Sequence, residues 1–173
     1  MDIAGQPHIA GDAAEVARSV ARFVAGRIAR ARGPFRLVLS GGSTPRAAYE
    51  MLARESAIEW SCVELFFGDE RFVPPDDRDS NYRMVHESLL AGGNIHPRGL
   101  YGIPTDGDPE SAAQRYEEML RQQYGASVLG PGRPLFDLVL LGLGPDGHTA
   151  SLLPGQPVLE ERTRWVAPVP LGR

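Results

Sequence analysis

Lysine is absent from the 173-residue sequence, and all 18 of its basic residues are arginine. This absence excludes a phosphate-binding loop of the Walker A type, which needs a lysine, and any enzyme that forms a lysine Schiff base. It also excludes a lysine as general base. Cysteine is scarce too, and the single Cys62 cannot form an internal disulfide or a multi-cysteine metal site. Such cysteine usage favours a reducing compartment.

Long apolar runs and an excess of positive charge are also missing. No run approaches the roughly 18 apolar residues that cross a membrane. The first ten residues, MDIAGQPHIA, lack the basic and apolar regions of a signal peptide. The formal net charge of −4 gives no electrostatic basis for binding nucleic acid. We therefore predict a cytoplasmic protein that has neither a membrane nor a nucleic acid as partner.

Glycine and proline are plentiful, at 20 and 15 residues, and indicate many turns. The length suits one domain, residues 1–173. Short apolar runs alternate along the chain with stretches of helical periodicity, which predicts the α/β class. We expect a three-layer, mostly parallel, Rossmann-like sheet with helices on both faces. Ligands of such sheets bind beyond the carboxyl ends of the strands.

The predicted elements follow from these patterns. Strands are expected at Leu37–Leu39, Val63–Phe67, Leu100–Ile103, Phe136–Leu141, which is the most clearly buried, and Trp165–Ala167. A first helix is expected after a capping box of Asp12 and Glu15, with the apolar face Val16, Val20, Phe23, Val24 and Ile28. Further helices are expected from Pro45, at the first helical position, to about Arg54, from Ser80 to Gly92, and from Asp108 to near Gly125.

The loop SGGSTP joins the first predicted strand to a helix. It comprises Ser40, Gly41, Gly42, Ser43, Thr44 and Pro45. Glycines allow close backbone approach, hydroxyls donate hydrogen bonds, and a helix start presents free N–H groups, so the loop suits a phosphate monoester. An ordinary tight turn with Thr44 as cap is the alternative. A serine-hydrolase elbow is disfavoured because it would need glycine where Pro45 stands.

Three charged residues, Asp69, Glu70 and Arg71, follow the second predicted strand. Arg71 has the geometry to bind a carboxylate or phosphate through two hydrogen bonds. Asp69 is suited to orienting a histidine or a substrate hydroxyl. A solvated turn with a surface ion pair is the alternative.

The loop from Gly142 to His148 matches the dinucleotide-binding pattern G-x-G-x-x-G through Gly142, Gly144 and Gly147. The pattern also requires an acidic residue about 20 positions later, where this chain has Trp165, so a nicotinamide cofactor is disfavoured. His148 stands at the mouth of the predicted sheet, and histidine is suited to proton transfer near neutral pH. A structural or helix-capping histidine is the alternative. Asp146 and His148 alone do not make a metal-ligand set.

Three motifs together resemble the 6-phosphogluconolactonase family. They are SGGSTP, the run GDERFVPPDDRDSNY from Gly68 to Tyr82, and GLGPDGHTASLLPG from Gly142 to Gly155. The resemblance implies hydrolysis of 6-phosphoglucono-δ-lactone in the oxidative pentose phosphate pathway, with no metal and no organic cofactor. Related glucosamine-6-phosphate deaminases carry an asparagine-glutamate-proline sequence after the GH motif. This chain has Ser151 to Pro154 there, which favours the lactonase.

The resemblance also implies roles for individual residues. His148 would take a proton from the attacking water, Asp69 would orient substrate or base, and Arg71 would contact the bound phosphosugar acid. The substrate-binding residues would be Ser40, Gly41, Gly42, Ser43, Thr44, Asn81 and Gly147. A neutral histidine and preorganised donors meet the chemical needs of lactone opening.

The resemblance further implies a strand-and-helix region beyond Arg173, including a lysine that helps to bind phosphate. Relative to that pattern, the chain is expected to be a single lactonase-like domain that lacks the C-terminal part. Two other functions stay open from the sequence. One is an aminosugar-phosphate deaminase or isomerase, and the other is a sugar-phosphate-binding fragment without catalysis.

Overall fold

A computed structural model describes residues 5–169 of the chain as a four-stranded parallel sheet between two layers of helices. The strands are β1 (Phe35–Leu39), β2 (Val63–Phe67), β3 (Gly99–Tyr101) and β4 (Leu138–Val139), in the order β3-β2-β1-β4. The helices are α1 (Ala13–Ile28), α2 (Ser43–Leu52), α3 (Asn81–Val85), which continues as a π-helical turn over His86–Leu90, and α4 (Pro109–Tyr124). Within the described part of the chain, no helix has the length and apolarity to cross a membrane. The predicted α/β class and parallel sheet are confirmed.

The two central strands divide the hydrophobic core between the faces of the sheet. Leu37 and Leu39 of β1 pack with α1, α2 and α3, whereas Val38 faces α4 on the opposite side. The same alternation places Leu65 of β2 on the first face and Phe66 on the second. Burying each of these large side chains stabilises the fold by about 1.5–3 kcal/mol. The core therefore fixes β1 and β2 side by side.

Three of the four α-helices begin with a side-chain cap. Asp12, Ser80 and Asp108 accept hydrogen bonds from backbone N–H groups in the first turns of α1, α3 and α4. The predicted pairing of Asp12 with Glu15 is present in part, because Glu15 N–H donates to Asp12 while the Glu15 carboxylate accepts from Gly11 N–H. The first turn of α2 has no side-chain cap.

The helical prediction was wrong in two details. Helix α2 begins at Ser43, so Pro45 stands at the third helical position and not the first, because the glycine at position 42 already turns the chain. In α1, Val16 and Phe23 are 36% and 57% exposed, although the predicted apolar face includes both. The buried stripe of α1 is Ala17, Ala21, Val24 and Ile28. Because successive helical residues are about 100° apart, Phe23 lies about 200° around the helix from Ala21 and so faces away from this stripe.

The predicted strand at Phe136–Leu141 is shorter and less buried than expected. Only Leu138 and Val139 pair with β1, and Val139 and Leu141 are 43% and 63% exposed. Within residues 5–169, β4 is an edge strand, so one side of its backbone has no neighbouring strand. An apolar run typical of a central strand thus stands at the edge of the sheet.

The predicted last strand at Trp165–Ala167 does not form. Instead, Glu117 of α4 accepts hydrogen bonds from the backbone N–H groups of Trp165 and Val166 at 3.0 and 3.2 Å. The indole packs edge-on against Tyr124, with ring centroids 5.7 Å apart, and beneath the Arg121 guanidinium at 5.3 Å. A carboxylate and an aromatic contact therefore take the place of sheet pairing.

A buried charge stands at the amino end of β2. Glu64 is 6% exposed and pairs with Arg36 Nε at 3.0 Å and with Arg98 Nε at 3.4 Å. Arg36 also donates to the backbone oxygen of Gln123 at 2.8 Å. The network ties β1, β2 and α4 together at the end of the sheet opposite the predicted site.

Candidate active site

The carboxyl ends of β1, β2 and β4 lie at one edge of the sheet because the strands are parallel. Asn81, the first residue of α3, is 2% exposed and joins the loops after β1 and β2. Its Nδ2 donates to the Asp69 backbone oxygen at 3.0 Å and approaches Asp69 Oδ1 at 3.5 Å. Its carboxamide also packs so tightly on Gly41 that a Cβ there would overlap it. The structure thus brings Gly41, Asp69 and Asn81 together.

The loop after β1 leads directly into the uncapped start of α2. Gly42 has φ of 110°, a left-handed backbone conformation that favours glycine. Ser43 and Thr44 form the exposed first turn of the helix, where N–H groups have no intrahelical acceptor. The helix dipole places partial positive charge at the same point. The start of α2 is therefore suited to an anion.

Ser40 marks the end of β1 and is 8% exposed. Both of its backbone groups are bonded to the hydroxyl of Tyr49, which accepts from Ser40 N–H and donates to Ser40 O, each at 2.9 Å. The Ser40 side chain donates to the Gly41 oxygen at 3.2 Å. Sequence reasoning missed Tyr49, because nothing in a helical tyrosine indicates that it reaches a strand end.

Glu70 is a second residue that the sequence did not single out for a site role. Its carboxylate accepts hydrogen bonds from the backbone N–H groups of Arg71, Asn81 and Tyr82 at 2.7–2.8 Å and from Ser80 Oγ at 3.2 Å. These bonds fasten the loop after β2 to the first turn of α3. Glu70 therefore sets the position of Asn81.

Arg71 lies apart from the Asn81 cluster. Its side chain is exposed, and Nη1 donates to the backbone oxygen of Asp79 at 2.9 Å. This bond braces the loop between β2 and α3 and holds the guanidinium at the rim of the sheet edge. The surface ion pair of the alternative interpretation does not form within the Asp69–Arg71 run in the described structure.

His148 is held by Asp146, a residue weighed in the sequence only as a metal ligand. The His148 Nδ1 and Asp146 Oδ1 atoms are 2.5 Å apart, and the imidazole is 24% exposed. The hydrogen bond from His148 keeps the pKa of Asp146 below its usual range. Because an ionised carboxylate can only accept, the neutral ring carries its proton on Nδ1 and leaves Nε2 as an acceptor. The D-x-H spacing was the available signal for this pair.

Two glycines shape the loop that carries His148. Gly147 has φ of 85°, which lets the chain reverse just before the histidine. Gly144 N–H donates to the His148 oxygen at 2.8 Å, and the ring lies so close to Gly144 that a Cβ there would overlap it. The G-x-G-x-x-G pattern from Gly142 to Gly147 thus leaves space for the His148 ring.

The far end of the same loop is attached to β2. Ser151 Oγ donates to Asp69 Oδ2 at 2.7 Å. Ala150, next to Ser151, has a left-handed φ of 49°, a conformation that costs a non-glycine residue about 1 kcal/mol. No sequence pattern indicates this contact, which joins residues 82 positions apart. Among residues 5–169, no group of three or more histidine, cysteine, aspartate or glutamate side chains is arranged to hold a metal ion.

Comparison with known proteins shows relatives along nearly the whole chain. A family model described as glucosamine-6-phosphate isomerases/6-phosphogluconolactonase matches residues 11–171. A probable 6-phosphogluconolactonase of Schizosaccharomyces pombe is 40% identical over 170 residues, which cover 91% of this chain and 65% of the yeast protein. A 6-phosphogluconolactonase of Synechocystis sp. is 45% identical over 136 residues, 78% of this chain and 55% of its own. The chain spans about half to two thirds of the length of the curated relatives that it matches.

Solved structures share the architecture. The 6-phosphogluconolactonase from Trypanosoma cruzi has a TM-score of 0.79 with this chain at 31% identity, covering 90% of this chain and 65% of that one. Sequence and fold thus agree on the same relatives, and the expected family resemblance is confirmed. The chain belongs to the family of glucosamine-6-phosphate isomerases and 6-phosphogluconolactonases.

Proposed function

We propose that the chain carries the hydrolytic site of a 6-phosphogluconolactonase, with 6-phosphoglucono-δ-lactone as substrate and the oxidative pentose phosphate pathway as its setting. The observation that carries the proposal is the Asp146–His148 pair, which leaves Nε2 of the ring as a proton acceptor at the carboxyl edge of the sheet. The names of the relatives support the lactone as substrate. The uncapped start of α2 supports a phosphate-bearing one.

The proposed reaction begins with water held by His148. Nε2 takes a proton as the water oxygen bonds to the lactone carbonyl carbon, and the carbonyl oxygen becomes a tetrahedral oxyanion. When the oxyanion collapses, the bond from that carbon to the ring oxygen breaks. The ring oxygen takes the proton from His148, which regenerates the neutral imidazole and gives the open-chain acid. Asp146 accepts a hydrogen bond from Nδ1–H throughout and stabilises the positively charged ring.

The other site residues divide into binding and positioning roles. We assign the phosphate to Gly42, Ser43 and Thr44 at the start of α2, with Ser40 and Gly41 setting the path of the loop. Arg71, on the exposed rim, is suited to the anionic groups of the substrate. Gly147 gives the backbone turn that presents His148.

In this proposal, Asp69 and Asn81 position the loops of the site and do not transfer protons. Because Asp69 Oδ2 already accepts from Ser151 and its backbone oxygen accepts from Asn81, the pair holds the loops in place. These contacts of Asp69 favour orientation of the base loop over direct proton transfer. No metal or organic cofactor is part of the proposed step.

Lactone hydrolysis by the wild-type chain and by His148→Ala, corrected for spontaneous opening, tests the proposal. We expect the variant to lose about 10²-fold or more in kcat, the scale for removing a general base. A loss of only a few-fold would overturn the role of His148. Conversion of glucosamine 6-phosphate in place of the lactone would instead indicate a deaminase or isomerase. Binding of phosphosugar without hydrolysis would indicate a non-catalytic module.

The proposed compartment is the cytoplasm, where the single cysteine would stay reduced. Some relatives from rice and Arabidopsis are named as chloroplastic. Fractionation of the source cells with an antibody to this chain tests the compartment, and recovery in an organelle would contradict it.

A further inference from the structure

Tyr49 lies on α2, with its side chain fully buried between that helix and the sheet. Its hydroxyl accepts from the N–H of Ser40 and donates to the C=O of the same residue, both at 2.9 Å. Burial raises the pKa of the hydroxyl, which therefore stays protonated and able to donate. One phenol thus fixes the peptide groups on both sides of Ser40.

The bonded groups of Ser40 are those that would otherwise continue the sheet. Arg36 O and Val38 O accept from β4-side residues Asp137 and Leu140, each at 3.0 Å. Because backbone groups alternate along a strand, Ser40, which directly follows β1, is the next residue whose backbone groups face β4. The Tyr49 hydroxyl takes both groups there, so the chain after Leu140 is released from β1. The release lets the loop that carries the site histidine leave the sheet.

The same device recurs at the end of β2. Tyr116 of α4, on the opposite face of the sheet, accepts from Phe67 N–H and donates to Phe67 O, each at 3.1 Å. Phe67 lies on the β3 side of β2, since Val63 O, four residues earlier, accepts from Arg98 N–H. The Tyr116 hydroxyl therefore bonds the backbone groups of Phe67 that would otherwise pair with a further residue of β3. The strands β1 and β2 therefore each end at a residue whose backbone groups are both bonded to one tyrosine hydroxyl, an arrangement that we call a tyrosine clamp.

We propose that Tyr49 is a positioning residue for anion binding, because it ties the helix whose start would receive the phosphate to the strand end that begins the loop. This role rests on the proposed function. Without the hydroxyl, Ser40 and Gly41 are free to rotate, and the N–H groups of Gly42 to Thr44 lose their fixed direction. We expect the loss to fall on binding, because donors that hold the phosphate equally in the ground state and the transition state contribute to KM and not to kcat.

The Tyr49→Phe variant tests the role, and Tyr124→Phe is its matched control. Tyr124 is 1% exposed, and its hydroxyl likewise accepts from one backbone N–H, of Gly130, and donates to one C=O, of Arg133, but at the end of α4 away from the site. Both variants should lower the melting temperature. Only Tyr49→Phe should raise the lactone KM and the calorimetric Kd for inorganic phosphate, by about fivefold or more, with kcat within about twofold.

The outcomes separate the two proposals. Equal KM and phosphate Kd in Tyr49→Phe and Tyr124→Phe overturn the positioning role and leave the proposed function standing. A wild-type chain that binds phosphate without hydrolysing the lactone overturns the proposed function, while its phosphate affinity still tests Tyr49. A wild-type chain that neither binds phosphate nor hydrolyses the lactone overturns both the proposed function and the positioning role of Tyr49.

A measurement on the wild type covers the case in which Tyr49→Phe does not fold. Binding is reciprocal, so an anion that needs the clamp must also stabilise it. Inorganic phosphate should slow hydrogen exchange of the Ser40 amide, which Tyr49 holds, by about fivefold or more relative to the Gly130 amide, which Tyr124 holds. Equal effects on the two amides overturn the role.

Discussion

Ser151 Oγ donates a 2.7 Å hydrogen bond to Asp69 Oδ2 and so attaches the loop that carries His148 to the end of β2. The loop is held on its other side by the pairing of β4 with β1, which comprises two residues on each strand. The position of His148, the proposed base, therefore depends on a side-chain hydrogen bond as well as on strand pairing. Several consequences of this placement can be measured.

Removing the hydroxyl in Ser151→Ala should lower lactone kcat about tenfold or more, since small displacements of a reacting group cost that much. The loss of this one partly buried hydrogen bond should reduce the free energy of unfolding by only about 1 kcal/mol. Ser111→Ala is the matched control, because Ser111 Oγ also donates to an aspartate, Asp108, at 2.6 Å but at the start of α4. Equal kcat in the two variants, measured with folded protein, would contradict the role of Ser151.

The hydrogen bond from His148 lowers the pKa of Asp146, and its removal should reverse that shift. In His148→Ala we expect the Asp146 pKa, followed by carboxyl NMR, to rise toward the ordinary value of 3.8. Because the bonded pKa is depressed, the contribution of Asp146 to loop order is present above the ordinary pKa. It is lost as the pH falls through the depressed value. An Asp146 pKa that is the same in both proteins would argue against the pair.

Asp146→Asn should impair the proposed base by changing the tautomer of the His148 ring, while the imidazole itself stays in place. An amide can also donate to Nδ1, which would move the ring proton to Nε2 and block its role as acceptor. We expect kcat for the lactone to fall about tenfold or more, with KM changed less than kcat. A rise in KM at constant kcat would instead indicate that Asp146 contributes to substrate binding.

Gly144→Ala should displace the His148 ring, because the new methyl group would overlap it. Gly92→Ala is the control, since a Cβ at Gly92 meets no atom within 4 Å. We expect Gly144→Ala to fold and to lose activity by about 10²-fold, the scale of a misplaced catalytic group. The imidazole resonances of His148 should shift in this variant only. Wild-type activity in Gly144→Ala would contradict the placement of the ring.

Glu64→Gln should affect stability without affecting the site. The substitution leaves Arg36 half-buried and without its ion pair, which should lower the free energy of unfolding in urea by about 2–3 kcal/mol. Arg98→Ala removes the more exposed partner and should cost less than about 1 kcal/mol. Both variants should keep wild-type kcat below their melting temperatures. A change in kcat for Glu64→Gln would show that the amino end of β2 is coupled to the site.

The central strands could be predicted from local sequence patterns, whereas the extent of the edge strand β4 could not. Strands β1 and β2 are mostly apolar runs with one charged residue each, Arg36 and Glu64, and turn residues bound them, so periodicity and turn chemistry sufficed to predict them. The run at Phe136–Leu141 has the same composition, but a strand's length also depends on its neighbours, which lie far away in the sequence. The strand predicted at Trp165 does not form for a related reason, because the N–H of Trp165 donates to the Glu117 side chain of α4 and not to a neighbouring strand.

The candidate site divides in the same way. Glycine-rich and charged loops after strands indicated where chemistry would be sought, and Asn81 and His148 lie in the elements that those motifs predicted. The contacts that hold these residues were not predictable, since Glu70, Tyr49 and Ser151 act through tertiary hydrogen bonds between loops and helices. A single sequence shows residue types but not these pairings.

The two-residue pairing of β4 with β1 closes a chain segment of about 100 residues, since Leu37 faces Leu138. Because only two residues of each strand pair, few hydrogen bonds oppose the gain in conformational entropy of the segment after β4 when that pairing breaks. The segment after β4 should therefore open as a separate cooperative unit, at a lower free energy than the unit of β1, β2 and α2. In native-state hydrogen exchange, the amide of Leu140 should exchange before that of Gly68, even though both bond to β1 at 3.0 Å. The half of the site that holds the histidine would then be lost and regained many times within the lifetime of one folded molecule.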